Sequence, residues 1–527
     1  MESVVFSDKM CVMKKFANIF LIFFALCFLN LKAFSATAWV NDLKSLYTSN
    51  NAVIYAINIR TFNAKDTNNN GIIEENLGEE RGTFLNAIDR LDELVALGVN
   101  TVQLLPVNTV GKTKALGTAG SLFSVSDFSE INPQLKTPQS SLSINEEMRK
   151  FIGECHNRKL RVIVDLPCCG SYDLYLKNPD LFIKDKDNNP IIPSDWTDVR
   201  LLDGGSEQKV NQEVYNLYQG FVDLMLALDV DGIRADVASI KPYAFWKKLI
   251  TESKARNPQF LFLAEASPAW SKSPSEYVVF TPYDRLLDAG FDGYYGGYFD
   301  LKNWKTARDL YSCVKSDIAI SQKYSGAKRV IGNLATHDQI SPILVNGPQL
   351  SKMMIWLNTT LPLNAYYIDG FPVGDNYLYP WANKKAAKSF TDDEYYFVHR
   401  GQLDIFNFSR RPQGTQFDIL REFVFANKFR KMASKVLSAG NFVTLKSSAP
   451  CVFAYARSLD STSVIVIGNL DFKKTQSAVV NVPKITNQLS SMPVKLGSIP
   501  TVLKGKIQTK LEPGEIQVLY FNALDIK

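Results

Sequence analysis

Histidine is nearly missing from this chain. It holds three in 527 residues, which argues against a multi-histidine zinc site. Cysteine is sparse too, at seven, and no two have the CxxC spacing of a metal or redox motif. Five lie beyond the N-terminal segment: Cys155, Cys168, Cys169, Cys313 and Cys451. That odd, widely spaced set is no disulfide framework, although an exported chain would permit one bridge. Adjacent Cys168 and Cys169 are read as packing residues. Lysine and arginine never gather in blocks, the formal net charge is only +6, and no zinc-finger or other nucleic-acid motif occurs, so nucleic acid is excluded as a partner. Internal repeats and low-complexity tracts are absent. What remains is an ordinary globular composition, 46% hydrophobic and 21% charged, in a chain too long for one core; a large domain plus a smaller one is expected.

Lys14 and Lys15 precede an apolar run over 16–31, broken only by Asn18 and Asn30, and then the small residues of KAFSATA. This is the pattern of a secretory signal peptide, assigned to residues 1–36. At 1.5 Å per residue the run spans about 24 Å, short of a hydrocarbon core of about 30 Å. An uncleaved anchor is the alternative, and Met13 an alternative start. Cleavage would remove four lysines and two acids, leaving the charge mildly positive. The expected location is secreted or periplasmic, without stable membrane insertion after cleavage.

From Asn51 onward, short β-branched runs alternate with amphipathic stretches, as in parallel βα units. VIYAINIR (53–60) reads as a first strand. TFLNAIDRLDELVALG reads as a helix burying Phe84, Ile88, Leu91 and Val95. NTVQLLPV and RVIVDLP supply strands two and three, DGIRAD a short fourth, and FLFLAEAS, FDGYYGGYFD, RVIGNLAT and NAYYIDGF strands five to eight, enough to close a barrel. Between Asp165 and Asp236 the chain holds roughly 40 residues more than a βα unit needs, predicting a small subdomain at 168–205 on the third strand's loop. Near Ala439 the pattern changes to strands without helices: FVTLKS, VFAYARS, SVIVIGNL, AVVNVP and IQVLYFN. The expected fold is therefore a (β/α)8 TIM barrel over 37–436 with that insertion, followed by an antiparallel β-sandwich over 437–527.

Three acids end three of these strands: Asp236, Glu265 and Asp338. Side chains at the C-terminal ends of barrel strands are where such folds place chemistry. Cleaving a glycosidic bond with retention needs one ionised carboxylate as nucleophile and one protonated carboxyl as acid. Asp236 suits the first role, because Arg234 lies two residues earlier on the same face and favours the charged form. Glu265 suits the second, since nearby carboxylates and the apolar FLFLA wall favour its neutral form. Asp338 would stabilise the oxocarbenium-like state, with His337 donating to the sugar. Singly, each has a plain alternative: a structural ion pair, a helix cap, a turn.

VIVDLPCCG, DGIRADVAS, FLFLAEAS and NLATHD, in that order and spacing, resemble the short conserved regions of the alpha-amylase family, glycoside hydrolase family 13. YAINIRTF, GVNTVQLLPV, SVSDFSEINP and TLPLNAYYIDG resemble its supporting segments, so the likeness covers about residues 50–410, and the tail resembles the family's C-terminal β domain. The resemblance implies Asp236 as nucleophile, Glu265 as acid/base and Asp338 as stabiliser, with Arg234, His337, Phe123 and Asp165 toward the substrate, an oligosaccharide or alpha-glucan, and a monomeric enzyme. There are departures. The family's first-region asparagine and histidine fall on Cys169 and Gly170, its stacking tyrosine on Phe123, and a second-region histidine near Ile240. One lost transition-state hydrogen bond costs about 10² to 10³ in rate, so the expectation is a slower enzyme or a different sugar. A catalytically weak carbohydrate-binding or assembly protein is the rival reading. An aldolase-type barrel would need a lysine at a strand end, and none is there.

DTNNNGIIE (66–74) sets Asp66, Asn68, Asn70, Ile72 and Glu74 around Gly71, at the spacing of a calcium loop and similar to one after the first strand in oligoglucosidase members. A plain Asn-Gly turn is the alternative; no organic cofactor is expected. The resemblance places a second family calcium where Cys169 and Leu201 now stand, both without ligand oxygens. Tyr172, Tyr175, Trp196, Trp270, Tyr294 and Tyr295 are candidate sugar platforms.

Overall fold

The computed structural model describes residues 39–68, 73–115, 120–193, 196–339, 341–374, 419–483, 491–495, 500–522, 524 and 526. The N-terminal segment read as a signal peptide, and Asn70 and Ile72 of the 66–74 loop, lie outside them. No described helix is long and apolar enough to cross a membrane.

Eight parallel strands close a barrel: Val53–Ile57, Thr101–Leu104, Arg161–Leu166, Gly232–Ala235, Leu261–Ala264, Gly293–Tyr295, Arg329–Gly332 and Asn364–Ile368. Each falls within a run read as a strand from the sequence. Alternation of side chains along a strand sorts them into two cores. Ile54, Ala56, Ile163, Leu261, Leu263, Ile331 and Tyr366 fill the barrel interior, whereas Val53, Val102, Val162, Val164, Phe262 and Val330 face the helices. The same period carries the interior face from Ile163 to Asp165, from Gly232 through Arg234 to Asp236, and from Leu263 to Glu265. Those charged groups therefore form the layer above the apolar plug.

The first helix differs from the expected single stretch. Phe84–Ala87 and Leu91–Ala96 are α-helical, but Ile88–Arg90 is a 3₁₀ turn. The tighter turn rotates the second α-helical piece relative to the first, so Phe84, Ala87, Leu91 and Leu94 are buried while Val95 is exposed.

The small sheet beside the barrel mouth also draws on more than the third loop. Its four strands, in the order Asn108–Val110, Val125–Ile131, Cys169–Ser171 and Val199–Leu201, come two from the loop after the second barrel strand and two from the loop after the third. Within it Cys169 pairs with Leu201, in an apolar cluster with Ile183, Val199 and Ile240. Gly170 is closely packed: a Cβ there would meet the Phe182 ring at 2.8 Å and Leu174 at 3.0 Å.

After the helix Ile419–Met432 the chain builds two antiparallel sheets. One has five strands, in the order Asn441–Thr444, Val452–Leu459, Thr462–Asn469, Ile516–Phe521 and Ser491–Lys495; the other has three, Gln476–Asn481, Lys506–Leu511 and Thr501–Leu503. Ala454, Ile465 and Ile467 from the first meet Val480, Ile507 and Leu511 from the second in one core, which makes a sandwich. The other face of the larger sheet, including Phe453, Tyr455 and Val466, joins the barrel's outer core. Tyr455 and Thr360 hydroxyls share a hydrogen bond of 2.6 Å across that junction.

Candidate active site

Arg234 organises the mouth. Its side chain is wholly buried, reaches Asp165 at 2.8 Å and Asp236 at 3.2 Å through Nη1, and lies 2.8 Å from Glu265 through Nη2. Nε donates to the Tyr295 hydroxyl at 3.1 Å. Barrel register produces this arrangement, since Asp165 stands opposite Arg234 on the neighbouring strand, and Arg234 opposite Leu263 on the next. One guanidinium thus serves three carboxylates from three adjacent strands. Its charge is held firmly: burial alone would favour the neutral form, but the attraction of Asp165 and Glu265 outweighs it.

Asp165 is fully buried and also accepts a hydrogen bond from Gln103 Nε2 at 2.8 Å. Neither it nor Arg234, both expected toward the substrate, is among the residues lining the cavity; they form the floor that sets the groups above. Burial, only partly offset by Arg234, pushes the Asp165 carboxyl well above the usual carboxylate range.

Above this floor opens a cavity of about 370 Å³ lined by Asp236, Glu265, His337, Asp338 and Phe123, among others. The three acids expected from the sequence therefore share one space. Glu265 is pushed up to about 7, chiefly by burial, with Arg234 opposing and the Asp236 charge adding to the rise. Its Oε2 accepts the Val237 N–H at 2.8 Å. Val237 has φ 36°, a left-handed conformation that is unusual for a β-branched residue. That turn ends the fourth strand and aims the N–H at Glu265; strain of this kind collects at functional sites.

Asp338 is also pushed up to about 7, by burial first and the Glu265 charge second. Its side chain is 38% exposed, but that surface opens into the cavity, so it lacks the full hydration of bulk water. His337, 3.5 Å from Asp338 through Nε2, is held neutral because burial and then Arg234 lower its pKa well below the ordinary value. Phe123 stacks on it with ring centroids 5.4 Å apart. Of the candidate platforms, Trp196 and Trp270 line the cavity. The others are packed elsewhere: Tyr294 donates to Asp317 at 2.8 Å, Tyr295 lies under Arg234, and Tyr172 and Tyr175 pack against each other.

Two further residues belong to the site without having been expected there. Cys168 donates to Asp236 Oδ2 through its thiol at 3.0 Å and its backbone N–H at 3.4 Å, and Gln103 supports Asp165. The five described cysteines are all free thiols. In the 66–74 loop, Glu79 plays a part that its place outside the motif conceals. Its carboxylate accepts N–H groups from Thr67 at 2.9 Å, Asn68 at 3.3 Å and Glu74 at 3.0 Å, tying both limbs together, while Asn68 Nδ2 donates to Glu74 at 2.9 Å. Among the described residues no group of three or more His, Cys, Asp or Glu is placed to hold a metal ion.

Fold and floor define a (β/α)8 barrel with three acids on one cavity, two of them, Asp236 and Glu265, held by a buried arginine beneath. No family model matches the chain. It is 24% identical over 287 residues to an alpha-1,4-glucan:maltose-1-phosphate maltosyltransferase of Arcanobacterium haemolyticum, covering 50% of this chain and 38% of that one. It is 26% identical over 249 residues to alpha-amylase MalA of Haloarcula japonica, covering 45% and 31%. The chain thus spans well under two thirds of the length of these relatives. Among solved structures, a maltogenic alpha-amylase of Thermotoga neapolitana matches with TM-score 0.65 and 19% identity over 90% of this chain and 99% of that one. An alpha-amylase of Geobacillus thermoleovorans complexed with acarbose matches with TM-score 0.64 and 18% identity, over 90% and 98%; likeness at this level speaks to the fold. Over part of their length the chain is thus similar in sequence to a maltosyltransferase and an alpha-amylase, and it shares the barrel fold of the solved alpha-amylases.

Proposed function

We propose that the protein is a retaining alpha-glycosidase or transglycosylase acting on alpha-glucans or related oligosaccharides. The observation that carries this reading is the meeting of Asp236, Glu265 and Asp338 on one cavity above Arg234. Asp236 attacks the anomeric carbon while Glu265, protonated near neutrality, gives its proton to the leaving oxygen. Glu265 then takes a proton from the incoming water or sugar hydroxyl, which displaces Asp236 and restores the alpha configuration. Asp338 and neutral His337 face the ring from the seventh strand; once Glu265 holds the proton, the charge that helps raise Asp338 is gone, so Asp338 ionises and steadies positive charge while the imidazole N–H donates to a hydroxyl.

The relatives favour this class of substrate: one is named for transfer onto an alpha-1,4-glucan, and one solved neighbour holds acarbose. The rival reading, a weakly active binder, draws on Gly170 and Phe123, which stand where the resemblance expects a histidine and a tyrosine. The intact acids and arginine weigh against it. Purified protein given aryl alpha-glycosides and maltooligosaccharides is expected to release the alpha anomer first in an early proton NMR time course. Release of the beta anomer first would refute retention.

Export is part of the same proposal, supported by Lys14, Lys15 and the apolar run after them. So is calcium at 66–74. Asp66, Asn68 and Glu74 offer the hard oxygen donors calcium takes, on limbs that Glu79 braces. Bound calcium would lock this loop and take no part in the chemistry. A chelator is expected to lower the thermal midpoint by several degrees, with added calcium restoring it; an unmoved midpoint would leave the loop a simple turn.

A further inference from the structure

We propose that Cys168 is a positioning residue for Asp236, holding one oxygen of that carboxylate so that the other stays on Arg234. The inference rests on the reading of Asp236 as nucleophile.

The geometry is specific. Cys168 presents two donors to the same oxygen, Asp236 Oδ2: its thiol at 3.0 Å and its backbone N–H at 3.4 Å. Arg234 Nη1 takes Oδ1 at 3.2 Å. The carboxylate is therefore gripped at both oxygens, by Arg234 on its own strand and by Cys168 in the turn after the third, which fixes its plane as well as its place. The segment that supplies the thiol is itself clamped. Tyr218 donates its hydroxyl to the Pro167 carbonyl at 2.9 Å, and fully buried Lys241 donates Nζ to the Cys168 carbonyl at 3.1 Å. With both carbonyls tied back, the N–H and S–H of Cys168 point toward Asp236.

Burial keeps the thiol protonated, because its pKa is raised well above the ordinary value, first by desolvation and then by Cys169 and Asp236. It is a donor, not a competing nucleophile. A thiol is a weak donor, yet one directed at a largely buried carboxylate, beside a backbone N–H on the same oxygen, adds to what fixes that oxygen. Charged and titratable groups reach Asp236 from every side. Arg234 lies on its own strand, Asp165 on the strand before and Glu265 on the strand after. Lys241 and Tyr218 approach from behind, and Cys169 touches Cys168 with sulfurs 3.2 Å apart. Arg234 and Cys168 donate to Asp236 throughout the working pH range, whereas Glu265 can do so only while protonated.

A donor on the carboxylate favours its charge, so removing the donor makes protonation easier and moves the acid limb of kcat/KM to higher pH. With 4-nitrophenyl alpha-maltoside as probe, Cys168→Ala is expected to lower kcat about tenfold and to shift that limb upward by about one pH unit. Cys168→Ser, which keeps a donor, restores both. Cys168→Val fills the space without a donor and shows the same shift, and it serves should the alanine variant fail to fold. An acid limb unmoved in Cys168→Val, or unrestored in Cys168→Ser, overturns the inference while the enzymatic reading stands. A wild-type protein that turns over no alpha-glycoside overturns both.

Discussion

Asp236→Asn is expected to lower kcat on an aryl alpha-glycoside by roughly 10⁴-fold or more, the scale seen when a nucleophile is removed, while the protein keeps its fold. The substitution is isosteric, so the turn into Val237 and the packing of the fourth strand are untouched. Arg234 retains Asp165 and Glu265 as partners, at 2.8 Å each. The variant also relieves a repulsion, because the Asp236 charge is one of the influences raising Glu265 and Asp165. Its thermal midpoint is therefore expected to equal or exceed the wild-type value. Steady-state kinetics and a melting curve on the same preparation check both halves. A variant turning over near the wild-type rate would remove Asp236 from the nucleophile's role, whatever the melt shows.

The barrel was legible because parallel strands buried on both faces are written as continuous apolar runs. FLFLA is buried throughout and RVIVDL in all but its first residue, so little else competes with the strand assignment. The three acids were legible because each comes soon after such a run. Features depending on contact between distant loops were not. Nothing in the local pattern of Asn108–Val110 or Val125–Ile131 says that they join the strands at 169–171 and 199–201. The thiol of Cys168 meets a carboxylate 68 residues away, and in the sequence CCG looks like packing. Lys506–Leu511 escapes notice for another reason: its burial alternates strictly, but its exposed positions are lysine, glutamine and lysine, and threonine interrupts the apolar half of the period. The first helix misleads because a 3₁₀ turn at Ile88–Arg90 shifts the period, moving Val95 from the expected buried face to the surface. Tertiary packing, rather than propensity, decided each of these.

Arg234→Met is expected to have the largest effect on stability, and the effect is expected to depend on pH. The methionine fills part of the arginine's space but leaves Asp165, Asp236 and Glu265 without their shared cation at a wholly buried position. Breaking a buried ion pair from one side costs about 3–5 kcal/mol, a large part of the roughly 5–15 kcal/mol that holds a typical domain. In the native protein burial has already raised Asp165 well above the usual range and Glu265 to about 7 against the pull of Arg234. Without that pull both rise further. A carboxyl whose folded value is raised stabilises the fold where it is protonated in both states. That contribution is lost as pH climbs from the unfolded value through the folded one. The deficit in thermal midpoint relative to wild type is therefore expected to be small near pH 5 and to widen toward pH 8. Arg234→Lys should fall between, since an ammonium supplies the charge without the planar fork that reaches three acids at once. A deficit of equal size at both pH values would mean that Arg234 is held for its bulk, and the electrostatic account of the floor would have to be abandoned.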